Sequence, residues 1–234
     1  METQRNHIAR LLRIGLLGAC VILAGDLLMG WGVRDDSLPG VAAQLSPYLS
    51  VSDGRMFWAA VCGFAGVPIA VVGHWGIYQL LRPYSRKYAR LYAMGTLAFL
   101  ALGGAGVHGA SIQGAFLYKN MVAAAPDAAL AATVRFAALF LLPLYALLLT
   151  GWAVMVYAHI RAVAGGQSPL PRWGWVFAMP IGSLLVSPLG LLGNHAWVNA
   201  LMMGAFSVGN IWTLAGHWWM LRRAKENRDN VPAA

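Results

Sequence analysis

Charged residues are scarce in this chain of 234 residues, where Lys, Arg, Asp and Glu together make up only 11%. A water-soluble domain ordinarily has about a quarter of its residues charged. Hydrophobic residues make up 59% of the chain, and its mean hydropathy is +0.60. The scarcity of charge therefore argues against an ordinary soluble domain and predicts an integral membrane protein whose main partner is the lipid bilayer.

Residue types that carry much of soluble-enzyme chemistry are also scarce. The chain has no glutamate between Glu2 and Glu226, so it lacks paired catalytic glutamates. Its two cysteines, Cys20 and Cys62, lie in separate apolar runs, which excludes a disulfide framework and a redox Cys-x-x-Cys motif. No lysine lies within an apolar run, as a retinal Schiff base would require. The three lysines are Lys87, Lys119 and Lys225.

The formal net charge of +9 raises nucleic acid as a partner. The basic residues, however, lie in short loops between apolar runs rather than in one stripe interleaved with aromatic residues. No DNA- or RNA-binding motif is present. We therefore predict no nucleic-acid partner.

What the chain does contain is long apolar runs. Six of them are long enough to cross a hydrocarbon core, which needs about 20 helical residues. They predict an all-α integral membrane protein, one bundle of six transmembrane helices forming a single domain over residues 1–234. The predicted helices cover about 11–31, 57–81, 91–117, 128–160, 173–192 and 196–221. Breaks are expected at prolines within these runs, at Pro68, Pro143, Pro180 and Pro188.

The basic residues also predict how the chain is threaded. With the N-terminus inside, 13 of the 17 Lys and Arg residues fall on the cytoplasmic side. The positive-inside rule then places both termini in the cytoplasm, as in a bacterial inner-membrane protein. The connection over residues 32–56 lies outside, and its composition favours a short surface helix or cap.

A glycine-rich stretch in the third run, residues 103–114, is expected to form the hub of the bundle. Ala101, Ala105 and Gly109 repeat every fourth residue, as in small-residue faces that let membrane helices approach closely. His108 and Gln113 are polar residues within this stretch, and a polar residue inside a membrane is a functional candidate.

Further polar residues collect in the predicted outer half of the membrane. An unpaired charge in hydrocarbon is costly, so Asp26 and Arg135 should meet each other, His108 or water. We predict one shared polar site that faces outwards. Its candidate ligand-binding residues are Asp26, His108, Gln113, Arg135, His195, Asn199 and Asn210. The structural alternative is an ion pair that only fixes helix packing, with Arg135 reaching the interface.

Two cofactors remain open as alternatives. A zinc site would use Asp26, His108 and His195 from three helices to activate water, as in an intramembrane hydrolase. A b-type haem would use His74 and His217 as axial ligands, because both occur in Gly-His-Trp at similar depth in the inner leaflet.

Three functions follow from these patterns. The first is a binding protein or transporter for a small amphipathic or lipid-like ligand held at the outer polar site. The second is a membrane-embedded enzyme or electron carrier with the zinc or haem just described. The third is a structural subunit whose polar residues only join helices together. The first is favoured, because the polar residues gather at one depth.

Overall fold

The computed structural model describes residues 2–229, with side chains over residues 3–223, and every regular element in that range is helical. The all-α class is therefore confirmed. The ten α-helices are α1 (Glu2–Gly30), α2 (Gly40–Leu45), α3 (Asp53–Leu81), α4 (Arg86–Leu102), α5 (Gly109–Val122), α6 (Pro126–Phe136), α7 (Leu142–Ala164), α8 (Met179–Leu184), α9 (Ala196–Met203) and α10 (Ala205–Asp229). Short 3₁₀ or π-helical segments occupy Ser46–Ser50, Gly103–His108, Ala137–Leu141, Arg172–Phe177 and Ser187–Leu192.

Four continuous helical segments in the described residues are long and apolar enough to cross a membrane. They are Thr3–Gly30, Asp53–Leu81, Arg86–Val122 and Pro126–Ala164. Helices α9 and α10 become a fifth if the pair, bent by 57° at Gly204, counts as one span. The chain is thus an apolar helical protein of the multi-pass membrane type.

The predicted helix over residues 173–192 is wrong as a single element. The segment consists of Arg172–Phe177, α8 and Ser187–Leu192, each only six residues long. Pro180 and Pro188 stand at the starts of the last two pieces, because proline lacks the N–H that would continue a preceding helix. The segment runs antiparallel to α10, with Gly174 against Met220 near its start and Ser183 against Gly209 further along.

The bundle has two chemically different ends. We call the end that carries residues 31–52 the loop end, and the end that carries residues 82–90 the arginine-rich end. At the loop end, α2 and the turn Ser46–Ser50 form the short surface helix expected in this connection. Asn194 joins that end, because its side chain donates to the Arg34 carbonyl over 2.6 Å.

The closest helix packing joins α1 to α3 rather than centring on residues 103–114. Gly15 and Gly18 of α1 face Gly73 and Ala70 of α3 so closely that a β-carbon on either glycine would collide with backbone. Small residues allow this approach. The expected hub fails in part because Ala101 and Ala105 are exposed, and the π-helical turn Gly103–His108 interrupts the four-residue repeat.

Candidate functional site

His108 is held at the end of the π-helical turn that joins α4 to α5. The turn shifts the register of the span, and such turns are frequent at functional sites. The imidazole fits because Gly63 of α3 has no side chain: a β-carbon there would collide with the ring. Its Nε2 lies 2.9 Å from the Ala59 carbonyl oxygen. Since a carbonyl only accepts, Nε2 carries a hydrogen.

Asp26 of α1 faces that imidazole from the opposite side. The Asp26 Oδ1 lies 3.5 Å from His108 Nδ1, and only 13% of the Asp26 side chain and 15% of the His108 side chain are exposed. Ser207 of α10 donates a hydrogen bond of 2.6 Å to Asp26 Oδ2. Three spans therefore meet at one carboxylate.

The hydrogen bond from Nε2 limits where a second proton of this pair can reside. Because Nε2 is already a donor to Ala59, the remaining Nδ1 and the Asp26 carboxylate would face each other as two acceptors unless one proton lies between them. One proton shared by Asp26 and His108 would remove that conflict and leave the pair with no net charge. That arrangement lowers the cost of placing a carboxylate among apolar helices.

The order of these residues does not match a serine hydrolase. In such enzymes the histidine lies between serine and aspartate and takes the serine proton. Here the Ser207 hydroxyl donates directly to the carboxylate. Ser207 is therefore a hydrogen-bond donor to Asp26 and not an activated nucleophile.

The bend at Gly204 brings Ser207 into position. A β-carbon on Gly204 would press on Leu23 of α1 and lie 3.5 Å from the Asp26 β-carbon, so glycine permits α9 to turn directly above the carboxylate. Ser207 is the third residue of α10, which begins just after the turn. A straight helix in this span would aim Ser207 elsewhere.

A cavity of about 370 Å³ opens beside the Asp26–His108–Ser207 group. Its volume is within the range of roughly 300–1,000 Å³ that is usual for small-molecule sites. The wall is mainly apolar and aromatic, with Phe99, Trp152 and Phe206 among its residues. The Trp152 and Phe206 rings stack with centroids 4.7 Å apart. One end of the cavity is thus polar and the rest is apolar.

The helix irregularities surround this cavity. The π-helical turn holding His108 and the bend at Gly204 border it, and Tyr145 projects into it from α7 shortly after the second π-helical segment. Phe206 and Met203 line the cavity and are more than one-third exposed, so part of its wall also belongs to the surface of the bundle. Tyr48 of the loop end also lines it, and burial raises the pKa of its phenol, which stays protonated.

Comparison with known protein families gives one result. The family model described as a family of unknown function, DUF6796, matches residues 1–224. The chain belongs to DUF6796. No curated protein and no solved structure matches it. Because the function of this family is unknown, the match assigns no activity to the chain.

Only part of the predicted polar site comes together in this DUF6796 chain. Asp26 and His108 meet, and Asn210 lines the same cavity. Arg135 and Gln113 are exposed on α6 and α5, away from the Asp26 carboxylate, so the structure does not bring them into the group. The position of a residue along a helix predicts its depth in the membrane. It does not predict the direction in which the side chain points around the helix axis.

Two other predicted residues lie at the loop end. His195 is exposed at the start of α9, where its side chain caps nothing. Asn199 donates to the Gly32 carbonyl over 2.8 Å and to Asn194 over 2.9 Å, so it ties α9 to the loop.

The sequence reasoning did not assign four residues that line the cavity: Ser207, Tyr48, Tyr145 and Trp152. The sequence did contain a signal for Ser207. It lies three residues before Asn210 on one helix, and this spacing puts both side chains on the same face.

The predicted zinc site lacks its third ligand, His195. His195 lies exposed at the loop end, whereas Asp26 and His108 are largely buried in the bundle. Among the described residues, no group of three or more histidine, cysteine or acidic side chains is arranged to hold a metal ion. The residues present therefore do not fit a zinc centre.

The surroundings of His74 and His217 are too tightly packed for a haem. Both ring nitrogens of His74 are already bonded, Nδ1 to the Tyr92 hydroxyl at 2.8 Å and Nε2 to Asn210 Oδ1 at 3.0 Å. His217 bonds the Thr213 carbonyl through Nδ1 and stacks on His159, with ring centroids 4.7 Å apart. The cavity beside His74, His159 and Thr213 has a volume of about 10 Å³, enough for one water at most. A macrocycle does not fit there.

Proposed function

We propose that this DUF6796 protein is a binding protein or transporter for a small amphipathic or lipid-like molecule. The observation that carries the proposal is the cavity itself, which joins one polar group to an apolar, aromatic wall. A ligand with a hydrogen-bonding head and an apolar body satisfies both parts.

The polar group favours a particular kind of head. With one shared proton the Asp26–His108 pair offers acceptor lone pairs and no net charge, so a hydroxyl head suits it better than a carboxylate. An anionic head would face Asp26 directly. A cationic head would be accommodated if the pair released its shared proton, which supplies a route to proton-coupled transport.

The surface position of part of the cavity wall supports entry from the membrane. Phe206 and Met203 line the cavity, are apolar and are more than one-third exposed on the surface of the bundle, so we place the entrance beside them. An apolar body reaching the site through this entrance stays in hydrophobic surroundings throughout. The aromatic pair Trp152 and Phe206 would then contact the body of the ligand.

We further propose that the chain crosses the bacterial inner membrane six times, with both termini in the cytoplasm. Support comes from the segment 172–192, which runs beside α10 towards the loop end, and from the basic residues gathered at the arginine-rich end. Cysteine labelling from each side of sealed vesicles tests this threading: Ser37→Cys should label only from outside and Ser85→Cys only from inside. Labelling of both from one side would contradict it.

The binding proposal is tested by fluorescence quenching with bromine-labelled dodecanol, with bromine-labelled dodecanoate as the anionic counterpart. Protein in a neutral detergent should show saturable quenching by the alcohol, and Trp152→Phe should remove most of it. The Asp26→Asn variant should bind the alcohol about tenfold more weakly, since a hydrogen bond to a charged group contributes about 1.5–3 kcal/mol. Ser207→Ala should weaken binding in the same direction, because it removes the bond that holds the Asp26 carboxylate in place.

Matched controls separate the site from general effects. Asp127→Asn removes an exposed carboxylate, and Ser183→Ala removes a hydroxyl that only bonds within its own helix. Both should bind like the parent protein. Equal binding of alcohol and dodecanoate, or equal binding by Asp26→Asn and Asp127→Asn, would contradict the proposal.

A further inference from the structure

The arginine-rich end carries a large pocket that the proposed function does not use. It has a volume of about 820 Å³ and lies where α3 turns into α4, next to the start of α1. Three arginines line it, Arg82 on the turn and Arg86 and Arg90 one helical turn apart on α4. Their i, i+4 spacing puts Arg86 and Arg90 on one face.

The surroundings of this pocket favour an anion. Acidic side chains are absent from this end throughout residues 3–223, because the five in that range lie in the cavity or on the loop-end side. They are Asp26, Asp35, Asp36, Asp53 and Asp127. Arg86 lies in the first turn of α4, and the N-terminal end of a helix adds positive potential to its surroundings.

Neutral donors complete the lining. Tyr78, Tyr84, Gln79 and Gln4 border the same space. Guanidinium groups bind phosphate oxygens in pairs, and hydroxyl and amide groups bond the remaining oxygens or glycerol hydroxyls. This set of side chains matches a phosphate group that carries further polar substituents.

The position of the pocket favours a lipid headgroup as the group that carries this phosphate. Trp75 is 41% exposed and stacks on Tyr78 with ring centroids 4.5 Å apart, one turn towards the middle of α3 from the pocket. Exposed tryptophan and tyrosine mark the boundary between hydrocarbon and headgroups. The arginines thus lie at headgroup depth, with the apolar surface of α3 below them.

We propose that this pocket binds the headgroup phosphate of an anionic phospholipid. The lipid's acyl chains lie along the apolar surface of α3 while Arg82, Arg86 and Arg90 hold the phosphate. This function is independent of the cavity at Asp26, and the two sites lie in different halves of the bundle.

Native mass spectrometry tests the proposal. The full chain in a neutral detergent is titrated with phosphatidylglycerol and with phosphatidylcholine of the same acyl chains, and inorganic phosphate is then added to the lipid-bound protein as a competitor. Phosphatidylglycerol should bind as a discrete adduct at least about tenfold more tightly than phosphatidylcholine. The triple variant R82Q/R86Q/R90Q should lose at least about tenfold of that binding.

The matched control is R10Q/R13Q/R172Q, which removes three exposed arginines outside the pocket lining. It should retain phosphatidylglycerol binding within about threefold, because only the general charge has changed. Melting temperatures in detergent check folding, and the single variant Arg86→Gln should reduce binding in the same direction if the triple variant does not fold.

Three results would overturn the proposal. Equal binding of phosphatidylglycerol and phosphatidylcholine shows that the pocket does not discriminate between their headgroups. Equal losses in the two triple variants show that net charge, and not the pocket, attracts the lipid. Displacement of the lipid by inorganic phosphate at a similar concentration shows that a free anion is the ligand.

Discussion

Replacing Gly63 by alanine should destabilise the protein through a single collision. The new β-carbon would overlap the His108 ring, which cannot simply withdraw because Nε2 is bonded to the Ala59 carbonyl and Nδ1 faces Asp26. Overpacking of this kind costs typically about 1–3 kcal/mol. If the ring rotates away, it loses a hydrogen bond worth about 0.6 kcal/mol inside a membrane bundle.

The expected loss of unfolding free energy for Gly63→Ala is therefore about 1–3 kcal/mol while the ring stays in place. Gly54→Ala is the matched control on the same helix, because nothing lies within 4 Å of a β-carbon at that position. It should be neutral or slightly stabilising, since alanine favours helix more than glycine does. Reversible unfolding in detergent measures both.

A double-mutant cycle isolates the mechanism. In a His108→Ala background the collision is gone, so Gly63→Ala should cost at least about 1 kcal/mol less than it does in the parent protein. An equal cost in both backgrounds would refute the assignment of the strain to the His108 ring.

Three further outcomes are expected. Tyr92→Phe leaves buried His74 without its 2.8 Å partner and should lower the unfolding free energy by about 0.6–1.7 kcal/mol; no change would contradict the bond. Arg55→Ala removes a cap on the C-terminal carbonyls of α1 and should speed amide hydrogen exchange there, while unchanged exchange would argue against the cap. Hydrogen bonds from Ser37 hold the pKa of Asp35 below its ordinary value, so this contact stabilises the loop above about pH 4 and is lost as the pH falls through the lowered value. Titration of the Asp35 carboxyl by NMR at or above its ordinary pKa would contradict that.

The sequence reasoning expected Asp26 to meet Arg135, His108 or water, and the structure places it beside His108. That expectation was energetic, because a carboxylate and an imidazole within apolar helices need polar partners. The long apolar runs likewise located the four continuous spans.

What the sequence did not reveal depends on tertiary packing. The π-helical turn at Gly103–His108 rotates His108 relative to an ideal helix, and the bend at Gly204 aims Ser207 at Asp26. Neither has a local signature beyond its glycines. Arg135 was misplaced for the same reason, since its depth was estimated but its direction around α6 was not.

The measurement that tests the central claim most directly is a crystal structure of the protein with bromine-labelled dodecanol, in which the anomalous signal locates bromine. The account predicts the alcohol hydroxyl at the Asp26–His108 pair and bromine in the cavity or its opening, near Trp152 and Phe206. The same crystals of Asp26→Asn should show that signal weakened. Bromine found only on the outer faces of the helices, with the cavity free of the probe, would contradict the proposed binding site.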